Sequence, residues 1–350
     1  MSRLLAGILI LGVVLAIVVG SRMGSNETAA PTATSLELNI YSARHYDTDL
    51  ALYDKFTEET GIAINLIEGD SDELIARIER EGAQSPADLL ITVDAGRLWR
   101  AEEKGLFQAV VSETLETRIP EHLRHPDGLW FGLSKRARII VYNKAKGRPE
   151  KLETYADLAD PSHRGEICMR SSSNIYNLSL LAAIIEHLGT EEAENWAKGV
   201  VANFARQPQG NDTGNIQAVA AGECRISLVN TYYAGRLMGS GNAEDRAAAD
   251  AVELVFPDQE GNGTHVNIGG AGVLVHAPNR ANAVRFIEFL TSDWAQRAFS
   301  EQNHEYAAVP GVEIDTPLNA FAFREDALNA SALGRNQSEA VRIFDRAGWK

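Results

Sequence analysis

The stretch Trp130-Phe-Gly-Leu-Ser-Lys-Arg-Ala-Arg-Ile-Ile-Val-Tyr-Asn143 is a longer extended segment than the others in the chain, and it carries Lys135, Arg136 and Arg138 in its middle. A strand of that reach can run from one domain into the next, so it predicts two domains joined by extended chain and meeting at a cleft. Before it, short apolar strands alternate with helices. Residues 36–41 alternate at period two, 62–67 and 87–93 supply two more strands, and 48–57 and 72–80 have helical spacing. In the second of those helices Leu74, Ile75 and Ile78 make a stripe to bury, while Glu73, Arg77 and Arg80 face outward.

After the long segment the same alternation returns. Strands are expected at 166–170, 224–230 and 252–256, and helices at 177–187 and 191–200. Residues 264–276 read as strand, glycine kink and strand, with Gly269-Gly-Ala-Gly272 suited to a kink or close backbone packing. A helix over 281–290 places Ala283, Phe286, Ile287 and Leu290 on one face, and Ser292 caps the helix that follows. The whole predicts an α/β fold of mostly parallel sheets covered on both faces.

The composition narrows the function by exclusion. At 350 residues and 45% apolar, the chain is long enough for two domains of ordinary size. Asp and Glu number 48 against 33 Lys and Arg, a net charge of −15, which opposes general binding to nucleic acid or an anionic membrane. Two cysteines, Cys168 and Cys224, exclude a disulfide-rich framework and a four-cysteine metal site. Residues 4–20 form an apolar run after Arg3, followed by a small polar stretch to residue 35, which reads as a secretory signal or an uncleaved membrane anchor. An exported compartment permits a Cys168–Cys224 disulfide, and both cysteines fall in segments that read as strands.

The placement of the nine tyrosines carries the chemistry. Tyr46, Tyr176, Tyr232 and Tyr233 each lie just past a predicted strand or on a loop opening a helix, where open α/β sheets place ligands. Tyr142, Tyr155 and Tyr306 sit in apolar or helical context and read as core. A phenol titrates near pH 10, so a cluster of phenolates needs a strongly polarising cation. Ferric ion fits, being hard and triply charged. Arg236, one helical turn past Tyr232, could offset the surplus negative charge. His45, beside Tyr46, is the best histidine candidate for a ligand; the others show no paired metal-binding spacing. There is no nucleophile elbow, phosphate loop or dinucleotide fingerprint, so the residues give no support to an enzyme. Ser171 to Asn174 could cradle an anion or cap a helix, and Lys135, Arg136 and Arg138 could line a cleft or form surface ion pairs.

Four colinear blocks resemble the periplasmic ferric-iron-binding proteins of iron ABC transporters, in their tyrosine-rich cyanobacterial form. They are Leu38-Asn-Ile-Tyr-Ser-Ala-Arg-His-Tyr46, Gly132-Leu-Ser-Lys-Arg-Ala-Arg-Ile-Ile-Val-Tyr-Asn-Lys144, Cys168-Met-Arg-Ser-Ser-Ser-Asn-Ile-Tyr-Asn177 and Val229-Asn-Thr-Tyr-Tyr-Ala-Gly-Arg236. The resemblance covers about residues 36–310. It implies a two-lobed type II periplasmic binding fold with a hinge of crossing strands: residues 36–135 and 262–310 in the first lobe, 136–261 in the second, and 311–350 as a C-terminal helical segment packing on the lobes. It also implies Fe(III) held by Tyr46, Tyr176, Tyr232 and Tyr233, with His45 as the variable ligand and Arg236 behind them. The implied partner is an inner-membrane ABC permease, the implied location the periplasm, with a possible tether at residues 4–20, and the implied state a monomer. No position after the second strand clearly supplies the extra carboxylate some relatives use, since Asp70 and Asp72 are equally good helix caps. Tyr306-Ala-Ala-Val-Pro310 departs from the Tyr-Pro-Val pattern of the family. On the residues alone, a binding protein for an anion or organic solute and a membrane-tethered iron store stay open.

Overall fold

A computed structural model describes residues 36–350 except His45, Asp47 and Thr48. The expectations for the leader, its tether and His45 lie outside the described residues. In chain order the elements are β1 Glu37–Ser42, α1 Leu50–Thr60, β2 Ala63–Glu68, α2 Ser71–Glu81, β3 Leu89–Thr92, α3 Ala95–Glu103, α4 Glu113–Arg118 and β4 Phe131–Asn143. Then come β5 Ile167–Cys168, α5 Ile175–Leu188, α6 Thr190–Ala202, α7 Asp212–Ala220, β6 Ile226–Asn230, α8 Thr231–Met238, α9 Ala243–Asp250 and β7 Val252–Val255. The chain ends with β8 Val266–Val273, α10 Arg280–Leu290, α11 Asp293–Asn303, β9 Tyr306–Ala307, α12 Ser331–Arg335 and α13 Gln337–Ala347. Among the described residues no helix is long and apolar enough to cross a membrane.

The strands run in the order β2-β1-β3-β8-β4-β6-β5, with β7 and β9 also on β4. The long segment forms one unbroken strand, Phe131–Asn143. Its first part, Phe131 to Ala137, pairs with β8, and from Arg138 to Tyr142 it pairs with β6. It therefore changes neighbours at Ala137/Arg138. A mostly parallel sheet is not what forms: β1–β2, β1–β3 and β5–β6 are parallel, but every pairing of β4 and β8 is antiparallel. The reason is topological. β4 leaves the first half and β8 returns to it, so the two cross in opposite directions, and hydropathy carries no information on strand direction.

The glycines of β8 are a second correction. The strand is continuous through Gly269, Gly270 and Gly272, with no kink separating two pieces. Close packing is what they serve: a Cβ on Gly270 would lie 2.6 Å from the Phe131 carbonyl oxygen, and one on Gly272 would lie 2.6 Å from the Phe107 ring. In α2 the buried residues include Leu74, Ile75 and Ile78, as the stripe requires, and Ser292 caps α11 by accepting from the Ala295 amide. Two apolar cores form. Leu38, Ile40, Phe56, Leu89 and Phe286 fill one, and Leu181, Trp196, Leu228, Phe344 and Trp349 the other. Cys168, at the end of β5, and Cys224, two residues before the parallel neighbour β6, are joined in a disulfide. Near the C-terminus α12 packs against α3 and α5, and α13 against α5 and α6.

Candidate metal centre

The three tyrosines from the middle of the chain are placed by helix starts. Tyr176 is the second residue of α5, whose first turn is capped by Asn174 accepting from the Asn177 amide, so Ser171 to Asn174 serve as a cap. Tyr232 and Tyr233 lie in the first turn of α8, directly after β6. Tyr46 follows β1, on the other side of the β4 crossing.

All four side chains converge. The Tyr232 hydroxyl donates to the Tyr176 hydroxyl at 3.1 Å, and the rings of Tyr232 and Tyr233 are 4.2 Å apart, tilted by 31°. The Arg236 guanidinium carbon stands 5.0 Å from the Tyr232 ring, 6.0 Å from the Tyr233 ring and 5.1 Å from the Tyr46 ring. One guanidinium thus faces three of the four phenols, and the fourth is hydrogen-bonded to one of those three. Tyr142 and Tyr155 are core residues, as expected, and Tyr306 is partly buried against the core.

Burial sets the protonation of the cluster. It is the largest influence pushing the Tyr176 phenol up to about 12, followed by the charge of Tyr233, with Arg136 and the Tyr232 hydrogen bond pulling the other way. Tyr232 is held well above the usual phenol range by burial and then by Tyr176, Tyr233 and Tyr46. Tyr46 is raised by burial and then by Glu305, against Arg44, Arg236 and Arg136. These three phenols are therefore neutral at pH 7 without a cation. Each neighbour that ionises makes the next ionisation harder, so only a multiply charged cation can turn them into phenolates together. Four phenolates around a trivalent ion leave one negative charge, which Arg236 is placed to balance. Among the described residues no group of three His, Cys, Asp or Glu side chains could hold a metal.

Several site residues were not legible in the sequence. Beside Tyr46, Arg44 donates to Asp49 at 2.8 Å and, through both terminal nitrogens, to Glu305 at 3.1 Å. Asp49 and Glu305 are both buried carboxylates. Asp70 caps α2, and Asp72 pairs with Arg100 at the surface, so neither belongs to the site. Glu305 comes from far along the chain, next to the two-residue strand β9, and no motif or period marks it. The basic patch divides. Lys135 pairs with Glu325, Arg138 is buried against Asp212 at 2.6 Å, and Arg136 lies 5.9 Å from the Tyr176 ring. Arg136 is 2% exposed, and among the described residues none of its three side-chain nitrogens has a hydrogen-bond partner; the Glu305 carboxylate stands 3.8 Å away. A cavity of about 180 Å³ lies among Tyr155, Leu180, Trp196 and Asp326, and none of the four clustered tyrosines lines it.

A family model for bacterial extracellular solute-binding proteins matches residues 84–324. The chain is 51% identical over 348 residues to iron uptake protein A1 of Synechocystis, covering 97% of each chain. Among solved structures, a Trichodesmium protein in complex with iron and citrate ligands superposes with a TM-score of 0.87 at 55% identity, over 90% of this chain and all of that one. An apo iron uptake homologue from Synechocystis superposes with a TM-score of 0.86 at 51% identity, over the same shares.

Proposed function

The chain belongs to the bacterial extracellular solute-binding proteins, in the branch of the periplasmic ferric-iron-binding and cyanobacterial iron uptake proteins, and from that premise we propose that it carries Fe(III) bound by Tyr46, Tyr176, Tyr232 and Tyr233. The family binds solutes and is not enzymatic. The observation that carries the reading is the convergence of four phenols from both sides of the β4 crossing, three of them facing Arg236 and the fourth, Tyr176, hydrogen-bonded to Tyr232. Residues 136–261 form the lobe that captures the ion with three phenolates. Residues 36–135 with 262–310 form the lobe that closes over it, adding Tyr46, and His45 completes the shell. Closure excludes water, which matters because hydroxide competes strongly for ferric ion. The loaded, closed form is then presented as a monomer to an ABC permease of the inner membrane, free in the periplasm or tethered by residues 4–20.

Phenolate-to-iron charge transfer gives the loaded protein a visible colour. An absorption spectrum with metal analysis after addition of ferric citrate at neutral pH tests the reading, and a colourless, iron-free protein overturns it. Arg136, buried and without a hydrogen-bond partner among the described residues, favours a second reading in which an anion or organic solute is the cargo. Titration with a panel of oxyanions beside the ferric titration separates the two.

A further inference from the structure

Beneath the three tyrosines of the second lobe lies a buried polar network made by residues outside the cluster. Arg138, on β4, is 1% exposed, and Asp212, the first residue of α7, is fully buried. One terminal nitrogen of Arg138 donates to Asp212 at 2.6 Å and to the Asn230 side-chain oxygen at 3.2 Å; the other donates to the Asn177 side-chain oxygen at 2.8 Å. Asp212 also accepts the Asn230 amide at 2.8 Å and an Arg170 nitrogen at 3.3 Å. Asn177 in turn donates to the carbonyls of Arg170 and Ser171, each at 3.1 Å.

These partners are the residues that aim the phenols. Asn177 follows Tyr176 in the first turn of α5. Asn230 is the residue from which α8 starts, and its side chain makes no capping bond to that helix. It is engaged with Arg138 instead, so the direction in which α8 leaves the sheet is set by the network. Arg138 and Arg170 also stand 6.0 and 5.4 Å from the Tyr176 ring. A guanidinium offers donors in a rigid planar fork, which suits it to fix several acceptors at once.

We propose that the Arg138–Asp212 pair is the positioning device of the ferric site, locking the starts of α5 and α8 so that the hydroxyls of Tyr176, Tyr232 and Tyr233 meet at one point. The inference rests on the ferric reading above. Such supports of metal ligands commonly change affinity by about 10–100-fold when removed.

The test is Asp212→Asn, which keeps the shape and removes the charge that holds Arg138 and Arg170. Wild type and variant are titrated with ferric ion against citrate, and their visible spectra and iron-free melting curves are recorded. In the variant the ferric affinity falls at least about tenfold. Its charge-transfer band weakens and moves to longer wavelength, because fewer phenolates leave the ion more electron-poor. A folded variant with unchanged affinity and band overturns the proposal. A wild type that binds no iron overturns the ferric reading itself. If Asp212→Asn does not fold, Asn177→Ala decides: it removes the Arg138 contact of α5 and the bonds to the Arg170 and Ser171 carbonyls but leaves Asp212 with Arg138, so a smaller loss with the same spectral change is expected, and an unchanged spectrum and affinity overturn the proposal.

Discussion

The two walls of the tyrosine cluster are built on different principles. Around Tyr46 the wall is a charged one: Arg44, Asp49, Glu305 and Arg136 are all buried, and a single phenol stands among them on irregular chain after β1. Opposite, three phenols stand in the first turns of two helices, and the charges are placed behind them, with Arg138 and Arg170 on Asp212. The second wall is also covalently stapled by Cys168–Cys224, while both cysteines of the chain are thereby used and none is left for the first. On the proposed ferric reading, a wall of several ligands on fixed helix starts suits capture, and a wall with one ligand on loop chain suits closure, where an element must move and still arrive in place.

The largest effect expected from this contrast is on iron affinity. Tyr232→Phe removes a proposed ligand that also bonds Tyr176 and packs on Tyr233, and should weaken ferric binding by about a thousandfold, roughly 4 kcal/mol. Tyr46→Phe should cost only about tenfold, with colour retained. Competition against citrate measures both; a Tyr46→Phe loss equal to or larger than that of Tyr232→Phe breaks the asymmetry.

Next is stability. Replacing Cys168 and Cys224 by serine should cost about 3 kcal/mol in denaturant unfolding of the iron-free protein. An unchanged unfolding midpoint would deny the staple any role. The C-terminal segment offers a check that belongs to neither wall. A Cβ on Gly334 of α12 would fall 2.1 Å from the Trp99 Cβ of α3, so Gly334→Ala should destabilise by about 1–3 kcal/mol through overpacking. A neutral result would mean that α12 shifts freely on α3.

The smallest effect is the pH dependence of the iron-free protein. Tyr176 titrates near 10 when unfolded and at about 12 when folded, so the folded state holds its proton longer. Stability from this phenol is intact below pH 10 and is lost as pH rises toward 12. Tyr232 acts in the same direction. Tyr176→Phe should flatten the decline between pH 10 and 12 in thermal melts; a decline of undiminished slope would place its origin elsewhere.

Much of this was legible in the linear chain. The period-two run of β1, the α2 stripe of Leu74, Ile75 and Ile78, the Ser292 cap and the unusual length of β4 follow from local spacing, because each is a property of neighbouring residues. The four tyrosines were legible from their position after strands. The helices α3, α4, α7 and α9 were not, since none exceeds nine residues and so short a run holds too few apolar positions to set a period, and neither was the direction of the crossing strands. Arg44 stood in a quoted block without a role. Glu305 and Asp212 carried no signal at all, because a lone carboxylate reads as solvated until the fold buries it.

The sequence by itself determined an α/β chain of acidic composition, with four phenols placed after strands or at helix starts. Those facts depend on composition and on spacing within about ten residues. Only the tertiary structure decided that Tyr46 shares Arg236 with Tyr232 and Tyr233, and that Arg138 meets Asp212, 74 residues away. The reason is physical. Charge pairing in a buried site depends on which side chains lose their water together, and that is settled by the change of strand partners at Ala137/Arg138, not by any local pattern.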